Sequence, residues 1–93
     1  MTMLHALICT DKPDHLSVRK ENREAHLEYL RADPLVIQAG PLIGPSGEMT
    51  GSLIVFDTDS RTHVEAFVAG DPYARAGLFA DVRIETWNRV IDR

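Results

Sequence analysis

Residues 3–39, MLHALICTDKPDHLSVRKENREAHLEYLRADPLVIQA, hold the pattern on which the fold turns. The apolar run at 3–9 is too short for a stable helix and is closed by Thr10, Asp11 and Pro13, which reads as a mostly buried strand. Asp14 is placed to cap a helix running through SVRKENREAHLEYLRA, with Leu16, Arg23, Leu27 and Leu30 at helical spacings. That helix must stop before Asp33-Pro34. Residues 35–39 then form a second strand, broken by Gly40-Pro41.

Outward from this unit the pattern repeats in kind. A Gly- and Pro-rich stretch, GPLIGPSGEMTG (40–51), reads as an exposed loop at a site edge, and residues 52–56, SLIVF, as the third strand. Ser60 caps a second helix with Val64, Phe67 and Val68 as its apolar stripe and Gly70 just past its end. Asp71-Pro72 starts a short helical turn that Gly77 closes. The segment at 78–91 alternates as one long strand carrying Trp87, with Val82, Ile84, Thr86 and Asn88 on one face. The order β, α, β, β, α, β with right-handed crossovers is the ferredoxin-like α+β plan, a four-stranded antiparallel sheet with both helices on one face. The other face lacks cover, so a homodimer is expected through apolar positions such as Leu7, Ile54 or their alternates.

Composition narrows the function. Ninety-three residues, 44% apolar and 26% charged, suit one folded domain, spanning 1–93, and exclude separate cofactor and substrate lobes. Ten basic against fourteen acidic residues, net −4, with arginines spread along the chain, argue against nucleic-acid binding. The lone Cys9 rules out a disulfide framework and fits a cytoplasmic setting, and no segment is apolar for long enough to enter a membrane. The glycines match no dinucleotide or phosphate loop, and no two histidines have metalloprotease spacing, so neither a cofactor nor a metal is expected.

Four histidines are the groups that titrate nearest neutrality. His5 reads as a packed strand residue, and His15 and His63 as solvated. His26 differs, because Arg23, Asn22, Tyr29 and Leu30 surround it on the helix and a polar cluster interrupts an apolar edge. Asp71 reads first as a helix cap, and an ionised aspartate beside an imidazole would fix its tautomer for acid–base work. Sequence spacing alone does not bring the two together. Cys9 reads as packing.

Taken in order, MLHALICTDKPD, Arg23-Glu-Ala-His26, Ala39-Gly40-Pro41, Gly51-Ser52 and Asp71-Pro72-Tyr73 followed by Ala76-Gly77-Leu78 resemble the YciI-like (YCII-related) family nearly end to end. The resemblance implies a dimeric α+β barrel type of ferredoxin-like protein. It places His26 and Asp71 at the family's proposed His–Asp dyad, with Arg23 as a frequent companion. One relative is a dehydrochlorinase of chlorinated-aromatic breakdown, and the fold's wider kin include lactone isomerases. The expectation is a cofactor-free enzyme acting on a small polar, cyclic or aromatic metabolite, with His26 and Asp71 catalytic and Arg23 and Tyr73 binding substrate. The competing expectation is a non-catalytic dimeric module that binds a ligand or partner through the same cluster.

Overall fold

The computed structural model describes residues 3–93. In chain order it contains β1 (Leu4–Asp11), α1 (Leu16–Glu21), α2 (Arg23–Ala32), β2 (Val36–Ile43), β3 (Met49–Phe56), α3 (Arg61–Gly70), α4 (Pro72–Arg75) and β4 (Phe79–Trp87). The strands form one antiparallel sheet in the order β2-β3-β1-β4. This is the ferredoxin-like α+β architecture. Among the described residues no helix is long and apolar enough to cross a membrane.

Alternation along β1 and β3 sends Leu7, Cys9, Ile54 and Phe56 to the face where Leu30 of α2 and Val64 and Phe67 of α3 pack. The register pairs Leu7 with Ile54, so both belong to the core and neither to the uncovered face. Their alternates, Ala6, Ile8 and Leu53, turn the other way, where Trp87 joins them. His5 lies on the core side, its Nδ1 2.8 Å from the Thr58 carbonyl, as a packed strand histidine.

Several expectations about the elements need correction. The first helix is two helices, because Asn22 Nδ2 donates back to the Val18 carbonyl at 2.9 Å and its backbone leaves the helical region. Asp14 is not its cap: it takes a left-handed φ of 59°, and His15 stands at the helix start with its Nδ1 2.7 Å from the Pro13 carbonyl. Gly40-Pro41 does not end β2, since an edge strand has an outward side on which proline's missing N–H costs no pairing.

The expected loop at 40–51 is therefore a β2–β3 hairpin whose turn is confined to residues 44–48. The Gly44 N–H donates to the Glu48 carbonyl at 2.8 Å, and Gly47 supplies the positive φ of 88° that the reversal needs. Gly51 lacks a side chain because a Cβ there would strike the Cys9 carbonyl across the β1–β3 pair. The final strand is shorter than expected. It stops at Trp87, and residues 88–93 have no regular structure.

Candidate active site

The antiparallel packing of α2 on α3 decides which polar groups meet. His26 sits in the first turn of α2, on the buried side with Leu30. Asp71 ends α3 and starts α4, where its Oδ1 accepts the Tyr73 N–H at 3.0 Å, the cap that Asp before Pro leads one to expect. The same Oδ1 lies 2.8 Å from His26 Nδ1, with both side chains almost wholly buried. A carboxylate only accepts, so Nδ1–H is the donor and Nε2 is left with its lone pair. Asp71 Oδ2 is buried without a hydrogen-bond partner. The aspartate thus holds the ring's tautomer.

Tyr73 stacks on His26, ring centroids 3.8 Å apart at 16°. The Arg19 guanidinium covers the tyrosine ring at 4.6 Å from its centroid, extending the stack to a cation, a dipolar ring and an imidazole. Arg19 is fixed in turn by Asp11, Nε to Oδ2 at 2.7 Å and Nη2 to Oδ1 at 2.8 Å, and Nη2 also donates to Ser52 Oγ at 2.9 Å. Burial would lower the Arg19 pKa, but Asp11 more than offsets it and the pKa is raised. Burial likewise raises the Tyr73 pKa against the opposing pull of Arg19 and Arg23, so its phenol stays a hydrogen-bond donor.

Sequence reasoning singled out Arg23 and passed over Arg19. The structure keeps Arg23 exposed at the wall of a cavity of about 50 Å³ also lined by His26, Leu30, Pro41, Met49 and Tyr73. Arg19 is the buried arginine, and it anchors the stack. The signal available was the stripe Arg19, Arg23, His26, Leu30, spaced four, three and four as one helical face. His63, expected to be solvated, instead sits 2.7 Å from Asp33 Oδ2 through Nε2. Among the described residues no group of three or more His, Cys, Asp or Glu side chains gathers as a metal cage would require.

Behind the pair, Cys9 is fully buried in the core. Burial, with the charge of Asp71 next in weight, pushes its pKa up to about 12. The thiol is therefore expected to resist a disulfide reagent at pH 8 in the native protein and to react at once in urea. The native thiol keeps its proton where an unfolded one loses it. Stability is then complete below the ordinary thiol range and falls as pH rises from that range through about 12. Alkaline unfolding curves for wild type and Cys9→Ala check this: the wild type should lose more, and equal losses would contradict it.

The model of the YCII-related domain matches residues 3–88. The chain belongs to this family. It is 30% identical over 98 residues to protein YciI of Escherichia coli, covering 95% of this chain and 99% of the relative. An uncharacterized protein of Haemophilus influenzae is 29% identical over 97 residues. Among solved structures it is similar to the 5-chloro-2-hydroxyhydroquinone dehydrochlorinase TftG of Burkholderia phenoliruptrix, solved with 2,5-dihydroxybenzoquinone, at 36% identity and TM-score 0.83 over 91% of this chain and 93% of that one. A putative antibiotic biosynthesis monooxygenase of Bacteroides thetaiotaomicron, 11% identical with TM-score 0.62 over 97% and 90% of the chains, shares the fold alone.

Proposed function

We propose that this YCII-related protein is a cofactor-free enzyme that uses His26 and Asp71 for acid–base chemistry on a small polar ring compound. The observation that carries the reading is the buried 2.8 Å hydrogen bond from His26 Nδ1 to Asp71, at the wall of a cavity. His26 Nε2 takes and returns the proton, Asp71 orients the ring, Arg23 anchors an oxyanion and the Tyr73 phenol donates to the ligand. Leu27, Leu30, Pro41 and Met49 offer apolar walls. At about 50 Å³ the cavity is smaller than a ring needs, so the reading requires its wall to open on entry, and Arg23 is the exposed residue of that wall.

The likeness to TftG supports a hydroxylated, halogenated ring as substrate. In such an elimination one proton passes to Nε2 and chloride leaves with the carbon–chlorine pair. The ring reaches the quinone level with no external oxidant. A panel of chlorinated and plain hydroquinols and lactones, read by chloride release and ultraviolet absorbance, tests this. Turnover by wild type and its loss in His26→Ala are expected. Saturable binding with no turnover of any panel member would instead favour the non-catalytic module.

We also propose that two chains pair through the uncovered sheet face. A hollow of about 270 Å³ lined by Ala6, Ile8, Leu53 and Trp87 lies there, with Leu53 39% and Trp87 40% exposed. Sedimentation at micromolar concentration should give twice 10.4 kDa, and Trp87 fluorescence should resist quenching until dilution separates the pair. A species at 10.4 kDa under those conditions would refute the interface.

A further inference from the structure

Helices α2 and α3 are joined by a His–Asp pair at each end. At one end α2 gives His26 and α3 gives Asp71; at the other α3 gives His63, in its first turn, and α2 gives Asp33, its C-cap. Between them Tyr29 lies against Phe67, ring centroids 4.6 Å apart, with its hydroxyl donating to the Phe67 carbonyl at 2.8 Å. The His63–Asp33 end opens into a cleft of about 370 Å³, several times the cavity beside His26, with Tyr29, Pro34, Ala66 and Phe67 as its largely apolar walls. That volume lies within the range of about 300–1,000 Å³ usual for small-molecule sites.

From this juxtaposition we propose that the His63–Asp33 cleft is a second small-molecule site, one that takes a neutral phenol. The class follows from the groups present. Asp33 Oδ2 accepts from His63 Nε2–H at 2.7 Å and Oδ1 accepts the Leu35 N–H at 3.0 Å, so both carboxylate oxygens are committed. His63 Nδ1 is then an acceptor, and it has no hydrogen-bond partner among the described residues. Phe56 stands edge-on to the imidazole, ring centroids 6.0 Å apart at 71°, and holds its plane. An acceptor beside apolar and aromatic walls selects a flat ring bearing a hydroxyl donor. The adjacent carboxylate repels an anion. The Tyr29 hydroxyl is spent on Phe67 and adds no competing polar contact.

The site does not depend on the acid–base role of His26, and the test keeps the two apart. Phenol is titrated into the protein and followed by amide proton–nitrogen spectra, with toluene as the ring lacking the hydroxyl. Saturable shifts are expected at Ala32, Asp33, Ala66 and Phe67, with toluene about tenfold weaker. His63→Leu, at a side chain 36% exposed, should weaken phenol to the level of toluene. Ala66→Leu, on an exposed face of α3, should abolish the shifts by filling the cleft. His26→Ala should leave them intact. Shifts confined to residues around Tyr73 and Met49, equal affinity for phenol and toluene, or unchanged phenol binding in His63→Leu would each overturn the proposal.

Discussion

Asp11→Ala should destabilise the protein by about 3–5 kcal/mol, the cost of leaving a buried guanidinium without its counter-charge. Arg19 and Asp11 have side chains only 2% and 7% exposed and share two hydrogen bonds. A surface pair would be worth about 1 kcal/mol or less, and burial is what makes this one different. Against a total stability of about 5–15 kcal/mol the loss would leave the variant near its unfolding threshold. Urea denaturation measures it. The variant Asp11→Leu/Arg19→Met should recover most of the loss, because it removes the charge requirement and keeps the volume. A midpoint for Asp11→Ala indistinguishable from wild type would show that Arg19 reaches water when Asp11 is gone.

The second large effect concerns His26 and Asp71, the pair proposed to transfer the proton. Once a substrate is in hand, His26→Ala should lower kcat by about 10²–10⁴-fold, the usual range for one positioned acid–base group. Asp71→Asn should also lower kcat and leave KM nearly unchanged, since Asp71 lies behind the imidazole and touches no part of the cavity. Its amide puts donors into a buried position where Oδ2 has no partner, so some stability is lost as well. The pH profile separates these effects. A structural loss scales activity uniformly with pH, whereas a misoriented or unsupported imidazole changes the profile's shape. If His26→Ala keeps full turnover, the pair is a structural cluster.

The periodicity of residues 3–39 and the Asp71-Pro72 cap made the fold and Asp71 legible, because both are local patterns with local causes. His26 was legible as a polar interruption of an apolar helix edge. What escaped depended on partners far away in the chain, on the sheet's final order, or on a side chain's choice between two local backbone partners. Pro41 reads as a strand breaker until β2 is known to be an edge. Asn22 reads as an ordinary helical residue until its side chain is seen bonding back to Val18. Arg19 looks like one more solvated arginine, and only the return of the chain at Tyr73 and the end of β1 closes around it. His63 was read as solvated because Asp33, its partner, is 30 residues away.

Asp71 and His26 carry unequal information about activity. The aspartate ends one helix, caps the next through the Tyr73 N–H and receives the imidazole, so the fold alone gives reason to keep it. A descendant that had lost all chemistry would still be under pressure to retain it. His26 accepts no backbone group and begins no element. It answers to Asp71 and to the stacked ring of Tyr73. In this chain the aspartate serves the architecture whatever the activity, and under the function proposed above the histidine is the residue whose loss would silence the protein and spare the fold.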